Sequence, residues 1–334
     1  MDAVETAARN AKDASYRLQS LTQAVRNEAL QEIAAALLEH ADEIVNANRA
    51  DTDEAEKAGL SKVMVKRLGY DRSKIKESVD SLRSLIKQED PIGRVVARTE
   101  LDSGLMLERV TCPIGVIGVI FEARPEALVQ ISALCLKSGN AVMLKGGSEA
   151  HRTNEILSKV ILKAITDLDE RFSSAVQLLS TREEINRLLA LDQHVDLIIP
   201  RGSNQLVRFI KEHTKIPVLG HADGICHTYV DGSADLDMAA RVCFDAKVQY
   251  PAVCNAMETL LVHENVALTF IPAMAERFHQ AGVELRGDEG ARSIAEMKEA
   301  TEEDWGTEYD DLVLSVKIVS SLDEAVEHIN RYSS

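Results

Sequence analysis

From Thr22 to about Ala47 the apolar residues Leu30, Ile33, Leu37, Leu38, Ala41 and Ile44 recur at spacings of three and four, which predicts one amphipathic helix with Thr22 as its cap. A second helical pattern runs from about Ser61 to Lys87 and stops ahead of Asp90-Pro91. Between Gly93 and Cys112 the pattern alternates about an Asp-Ser-Gly turn and predicts a long hairpin. After Pro113 apolar runs alternate with helical stretches. The sequence IGVIGVIF is followed by a helix over Glu126 to Ser138 and a strand over Asn140 to Lys145. Strand-like runs then come at 175–179, 195–200, 216–219 and 227–230, with helices between them, one opened by the capping box Thr181 to Glu184. Such alternation predicts an open, mostly parallel sheet covered by helices on both faces. From His221 a second α/β set begins: a helix from Ala234 to about Val248, a turn at Cys254, a strand over Thr259 to Val262 and a helix from Val266 to Ala281. The acidic run Thr301 to Asp311 reads as solvated surface, and a box at Ser321 to Glu324 opens a last helix before the chain stops at Ser334.

With 334 residues, 45% of them apolar, the chain has material for two domains and their cores. No run approaches the roughly 18 to 20 apolar residues of a membrane helix, and MDAVETAARN is too acidic and polar for a secretory signal. The expectation is a cytoplasmic protein with no membrane partner. A net charge of −16 without clustered Lys and Arg argues against a nucleic-acid surface. It also means that an anionic ligand must be received by a few local cations. The five cysteines are scattered and form no C-x-x-C, so reduced thiols are expected, with neither a disulfide framework nor a metal site.

Four of those thiols, Cys112, Cys135, Cys226 and Cys243, lie on apolar stretches or strand edges and read as small hydrophobes. Cys254, in YPAVCNAMETLLVH, differs. Pro251 bars regular helix nearby, and backbone N–H groups with Asn255 are placed to polarise a thiol, so this residue is either a nucleophile or a turn residue. In GNAVMLKGGSEAHRTN a strand ends in Lys145, Gly146, Gly147 and Ser148 and runs into a helix, which suits a nucleotide phosphate or is an ordinary βα turn. Gly202 and Ser203 open a helix after another strand and suit a pyrophosphate or serve as a cap. Glu122 and Arg124 follow an apolar strand, at the sheet edge where ligands bind in open α/β folds. GHADGICH sets His221 and His227 beside acids and a thiol without metal-ligand spacing, and reads as a polar loop.

Taken in order, RVTCPIGVIGVIFEARPEALVQISALCLKSGNAVMLKGGSEA, IIPRGSNQLVRFIKE, VLGHADGICHTYVD and VCNAMETLLVH resemble the γ-glutamyl phosphate reductase branch of the aldehyde dehydrogenase superfamily along essentially the whole chain. The resemblance implies an aldehyde dehydrogenase-like α/β fold with two open parallel-sheet domains and a protruding β-hairpin. An NADP-binding domain would comprise 1–92 and 113–220, an oligomerisation hairpin 93–112, and a catalytic domain 221–334. Family members run on beyond the end of this chain, so the C-terminal part of that last domain is expected to be absent.

The activity implied is NADPH-dependent reduction of L-glutamyl 5-phosphate to L-glutamate 5-semialdehyde, with release of phosphate, in proline biosynthesis. Cys254 would be the nucleophile that forms a thioester, with its own N–H and Asn255 as oxyanion donors. Lys145, Gly146, Gly147, Ser148, Gly202 and Ser203 would hold NADP, and Glu122 and Arg124 the substrate. The superfamily glutamate that often holds the adenosine ribose corresponds to Ser148, which does not repel a 2′-phosphate, and Lys145 with Arg152 favours one; Glu149 opposes it. Two departures stand out. Val218-Leu-Gly-His-Ala-Asp-Gly224 lacks the water-activating glutamate of oxidising members, and Ala123 replaces their oxyanion-hole asparagine. A homo-oligomer is expected. The competing readings are a non-catalytic relative acting by binding or assembly, and a reductase of another acyl phosphate.

Overall fold

A computed structural model describes residues 3–60, 62–122, 124–202, 204–220 and 224–334. It divides the chain into two units, Met1–Gly220 and His221–Ser334.

The first unit opens with helices α1 (Ala3–Leu18), α2 (Gln23–Glu39), α3 (Ala41–Lys57), α4 (Lys62–Leu68) and α5 (Arg72–Lys87). Helix α1 has no counterpart in the apolar spacing because its buried stripe is built largely of Ala8, Ala11 and Ala14. Thr22 caps α2 as expected, its hydroxyl accepting the Val25 N–H at 3.5 Å. The single helix expected from Thr22 to Ala47 is broken at His40, whose ψ of 16° leaves the helical range. Helix α3 then buries Asn48 and Asp51, polar residues that add nothing to an apolar period. The stretch from Ser61 to Lys87 is likewise split. The Asn48 amide accepts the Tyr70 N–H at 2.7 Å and donates to the Leu68 carbonyl at 2.8 Å, holding the chain in a turn until Asp71 caps α5.

Strands β1 (Val95–Asp102) and β2 (Leu105–Val110) form the expected antiparallel hairpin, with Gly104 at φ 74° in its turn and every residue of both strands exposed. The sheet follows, with β3 (Val116–Phe121), α6 (Pro125–Lys137), β4 (Ala141–Lys145), α7 (His151–Leu168), β5 (Val176–Leu179), α8 (Arg182–Leu188), β6 (Leu197–Arg201) and α9 (Asn204–Glu212). All neighbours are parallel in the order β5-β4-β3-β6. β3 and β4 are buried throughout, as the interior of a helix-covered sheet requires. The capping box of α8 is present, Thr181 with Glu184. The run 216–219 contributes only a bridge from Val218 to Ile198, since Pro217 has no N–H to extend a ladder. Gly115, at φ 129°, lets the Asp196 carboxylate approach; that carboxylate accepts the Val116 N–H at 2.8 Å and pairs with Lys12 at 2.7 Å.

In the second unit β7 (Cys226–Val230), α10 (Leu236–Val248), β8 (Met257–His263), α11 (Glu264–Gln280), β9 (Glu284–Gly287), α12 (Glu289–Ile294), β10 (Lys298–Glu299), α13 (Glu302–Trp305), β11 (Val313–Val319) and α14 (Leu322–Tyr332) build a parallel sheet ordered β10-β9-β11-β8-β7. The acidic run 301–311 is not simply solvated surface. Asp304 is buried and accepts from Arg286 at 2.6 Å, from Tyr309 at 2.8 Å and from the Thr301 N–H at 2.7 Å. Its neighbour Trp305 is buried too. The acid is an anchor beneath β9 and β11, and nearest-neighbour charge patterning along the sequence does not reveal that.

Candidate active site

In the first unit the chain winds outward from β3 through β4 to β5 and then returns to place β6 on the other side of β3. Open α/β sheets bind ligands outside the strand carboxyl ends at such a reversal. Register brings Phe121 level with Arg201, so the residues that follow the two strands meet. The Glu122 carboxylate lies over Gly202, where a Cβ would stand 2.9 Å from the Glu122 Cδ, and only glycine fits without displacing it. Arg124 is half-buried at the start of α6 and makes no ion pair among the described residues. Ser203 and Ala123, singled out in the sequence, lie outside the described residues, as does His221.

Lys145 closes β4, buried, with its ammonium donating to the Gly146 carbonyl. Gly146 packs against the Asn154 amide and Gly147 against the Glu149 carboxylate, while Ser148 is exposed at the head of a single 3₁₀ turn. Helix α7 comes next, and the anion at its start belongs to the protein. Buried Asp51 accepts the Thr153 N–H at 2.8 Å, the Thr153 hydroxyl at 2.7 Å and the Arg152 N–H at 3.3 Å. The Arg152 guanidinium is itself committed to Asp51 at 3.2 Å and to Glu54 at 2.6 Å. The expectation that this helix start and Arg152 receive a phosphate is therefore corrected, which leaves the loop from Lys145 to Ser148.

In the second unit α10 ends at Val248, and Pro251 leads into a turn in which the Val253 carbonyl accepts the Ala256 N–H at 2.9 Å. Cys254 and Asn255 are the two central residues of that turn. Both are exposed, and their backbone N–H groups have no partner among the described residues. β8 starts immediately afterwards, so the thiol is held at the rim of the sheet.

The turn is fixed from below. Lys247, last but one in α10, and Glu258, second in β8, form a wholly buried ion pair at 2.6 Å on either side of it. Burial raises the Glu258 carboxyl above its ordinary value against the opposing pull of Lys247. The other carboxylate oxygen accepts the Asp310 N–H at 3.3 Å. Gly224 packs under the turn, where a Cβ would lie 3.0 Å from the Cys254 Cα and 2.6 Å from the Glu308 carboxylate.

The remaining thiols divide. Cys135 and Cys243 are buried, and burial pushes their thiols up to about 12 and about 11, so they are inert packing groups. Cys112 is exposed and is not the hidden hydrophobe expected. Cys226 is half-buried, with its Sγ donating to the Cys254 carbonyl at 3.4 Å. His227 donates its Nδ1 proton to the Ile225 carbonyl at 3.0 Å, and its ring lies edge-on to His328. Cys226 was read as a small hydrophobe rather than as part of the site, and Gly224, Glu308 and the Lys247–Glu258 pair went unnoticed in the sequence. β7 pairing with β8, and a loop some fifty residues downstream, bring them to Cys254; no local spacing signals them.

Two parallel α/β units, one with a reversal of strand order and the other with an exposed turn cysteine, define a class of protein, and comparison places it in a family. The sequence profile of the aldehyde dehydrogenase family matches residues 1–303, and the chain belongs to that family. Its relatives are narrower than the family. The gamma-glutamyl phosphate reductase of Acetivibrio thermocellus is 52% identical over 97% of this chain and 75% of its own length, and that of Pelotomaculum thermopropionicum is 53% identical over 98% and 75%. The crystal structure of gamma-glutamyl phosphate reductase from Thermotoga maritima superposes with a TM-score of 0.94 at 38% identity, covering 99% of this chain and 81% of that one. A propionaldehyde dehydrogenase from Rhodopseudomonas palustris, 16% identical with a TM-score of 0.65, shares the fold.

Proposed function

We propose that the chain catalyses the NADPH-dependent reduction of L-glutamyl 5-phosphate to L-glutamate 5-semialdehyde with release of phosphate, a step of proline biosynthesis in the cytoplasm. The observation that carries this reading is the exposed Cys254–Asn255 turn, with two N–H groups unengaged among the described residues, in a chain about half identical to reductases of that name. The Cys254 thiolate attacks the acyl carbon of the substrate. Charge then builds on the carbonyl oxygen, where the Cys254 N–H and the Asn255 amide supply the donors. Collapse of the adduct expels phosphate with the bonding electron pair and leaves a thioester on Cys254. NADPH, held by the loop from Lys145 to Ser148 with Gly202 and Ser203, would supply the hydride that reduces the thioester, and Cys254 would leave as the thiolate when the aldehyde forms. No water-activating base is needed, in keeping with the missing glutamate at 218–224.

The carboxyl ends of β3, β4 and β6, where the strand order reverses, are assigned to a dinucleotide. Lys145 brings positive charge, and Gly146, Gly147 and Gly202 let a ligand near the backbone, with Ser203 completing the set. Ser148 carries no charge to oppose a 2′-phosphate. A carboxylate there would face the phosphate at a cost of about 1–4 kcal/mol at 4 Å. Ser148→Glu is therefore expected to lower kcat/KM for NADPH by roughly tenfold or more relative to NADH. Glu122 and Arg124 are assigned to the charged groups of the substrate, the guanidinium fork suiting a carboxylate or phosphate. The exposed apolar hairpin is assigned to contact with a second copy of the chain. Among the described residues no helix is long and apolar enough to cross a membrane.

The test follows NADP-linked, phosphate-dependent oxidation of glutamate semialdehyde by the purified chain. Cys254→Ala should lower turnover by on the order of 10⁴-fold or more, and unchanged turnover would refute the nucleophile. NADPH binding by fluorescence with no turnover of any acyl phosphate would instead favour a binding protein.

A further inference from the structure

The reduction of an acyl phosphate needs one sulfur, yet two stand together at this site. The Cys226 Sγ lies 3.4 Å from the Cys254 carbonyl oxygen. Each of these atoms is two bonds from its own Cα, which brings the backbones close to the span of at most about 7 Å that a disulfide bridges. Gly224, packed directly on the Cys254 Cα, holds the start of β7 under the turn. The site is reachable, since Cys254 is exposed and Cys226 only half-buried. We propose that Cys226 and Cys254 form a thiol modification site in which Cys226 resolves the oxidised nucleophile as an intramolecular disulfide. The inference rests on the reading of Cys254 as a thiolate nucleophile.

The oxidant is a peroxide. The Cys254 thiolate attacks one peroxide oxygen, the O–O bond breaks, hydroxide leaves and the sulfur becomes a sulfenic acid, oxidised by two electrons. The Cys226 sulfur then attacks the Cys254 sulfur, the S–O bond breaks, and the departing hydroxyl takes the Cys226 proton to leave as water. Electrostatics set the order. Burial and the neighbouring Cys254, Glu258 and Glu308 hold the Cys226 thiol above its ordinary value, so it keeps its proton until Cys254 has been oxidised. Conversion of Cys254 to a neutral sulfenic acid removes its charge and frees Cys226 to react. A disulfide at this position is reversible by a dithiol, whereas an unresolved sulfenic acid proceeds to the sulfinic acid, which is not.

The experiment treats the full chain and its Cys226→Ser, Cys254→Ser and Cys112→Ser variants with hydrogen peroxide, blocks free thiols with iodoacetamide, and maps linked peptides by mass spectrometry. The wild type should lose two of its five thiols and yield a peptide pair joined through 226 and 254, restored by dithiothreitol. Cys112→Ser should behave like the wild type. Cys226→Ser should accumulate sulfinic acid at 254, with no recovery. The proposal is overturned if the wild type goes to sulfinic acid at 254 as fast as Cys226→Ser, or if the link runs through Cys112. The linked peptide is read without any assay of turnover. Its appearance in a protein with no reductase activity would sink only the proposed reaction, and its absence from an active enzyme would sink only this inference.

Discussion

Single side chains in the second unit set terms that can be measured. Lys247 and Glu258 are both fully buried and are bonded at 2.6 Å; removing one partner strands the other charge away from water. That loss is expected to cost about 3–5 kcal/mol, whereas replacing both partners by apolar residues of similar volume is often close to neutral. Lys247→Met and Glu258→Leu should therefore each lower the urea midpoint sharply, and the double variant should recover much of the loss. A double variant no more stable than the worse single one would show that the pair is not what matters. His328 offers a second case. It is 4% exposed, among Trp305, His227 and Tyr332, and its Nε2 has no hydrogen-bond partner among the described residues. Burial, and then the charges of Lys317 and His227, push its pKa from 6.5 down to about 4. Between those values the unfolded chain binds the proton and the folded chain does not, so stability falls as pH drops from 6.5 towards 4. Asp304 acts lower down. Burial works to raise its carboxyl, but the Thr301 N–H, Arg286, the Thr301 hydroxyl and Tyr309 hold it at about 2 instead of 3.8, and its contribution is lost only as pH falls through about 2. Melting temperatures at pH 7 and pH 5 should thus differ less in His328→Phe than in the wild type, and an equal difference in both would remove His328 as the cause.

At the level of elements, capping chemistry and apolar period carried most of what the sequence foretold. Thr22, the Thr181–Glu184 box and Ser321 open helices where their residue types predict, and Thr181→Ala is expected to cost about 1 kcal/mol of stability in thermal denaturation. The strands of the first sheet, with β7 and β8 of the second, were legible because buried parallel strands read as apolar runs, whereas β9, β10 and β11 carried no strand reading. What stayed hidden has a shared cause: it depends on partners distant in sequence. The break at Gly69-Tyr70 is stabilised by Asn48 from another helix, α1 buries alanines that barely register as hydrophobic, and Asp304 is inside because Arg286 meets it. The site divides in the same way. Pro251 and the short turn mark Cys254 locally, whereas Cys226 and Glu308 reach it only through strand pairing and a distant loop. The hairpin shows the opposite situation, with a signal that is purely local. Leu101, Leu105 and Leu107 are 59%, 57% and 56% exposed on a two-stranded ribbon with no covering layer of its own among the described residues; such a ribbon is marginal in water unless its apolar groups are covered. Replacing Leu101 and Leu107 by Lys should shift the molar mass in light scattering towards that of one chain, and an unchanged mass would reject the hairpin as the contact.

Across the whole molecule the charge is unevenly divided. The unit from His221 to Ser334 carries 22 acidic and 8 basic residues, a net −14 of the total −16, and leaves the unit of residues 1–220 nearly neutral. Cys254 sits in the acidic unit. The dinucleotide site proposed in the first unit would be well served by near neutrality, because Lys145 would then work against little background. Cys254, the proposed nucleophile, would instead work in a field that repels anions, which gives the local donors at the turn their importance and makes association of an anionic substrate sensitive to ionic strength. The Debye length shortens from about 30 Å at 0.01 M salt to about 8 Å at 0.15 M, so the long-range repulsion is screened while contacts within a few ångströms persist. Alkylation of Cys254 reports this directly, because iodoacetate is an anion and iodoacetamide a neutral reagent of similar size. With the Cys254→Ser variant subtracted as background, the iodoacetate rate should rise across that salt range by several-fold relative to the iodoacetamide rate. A ratio that falls with salt would mean that nearby cations, and not the acidic unit as a whole, govern the potential at the thiol.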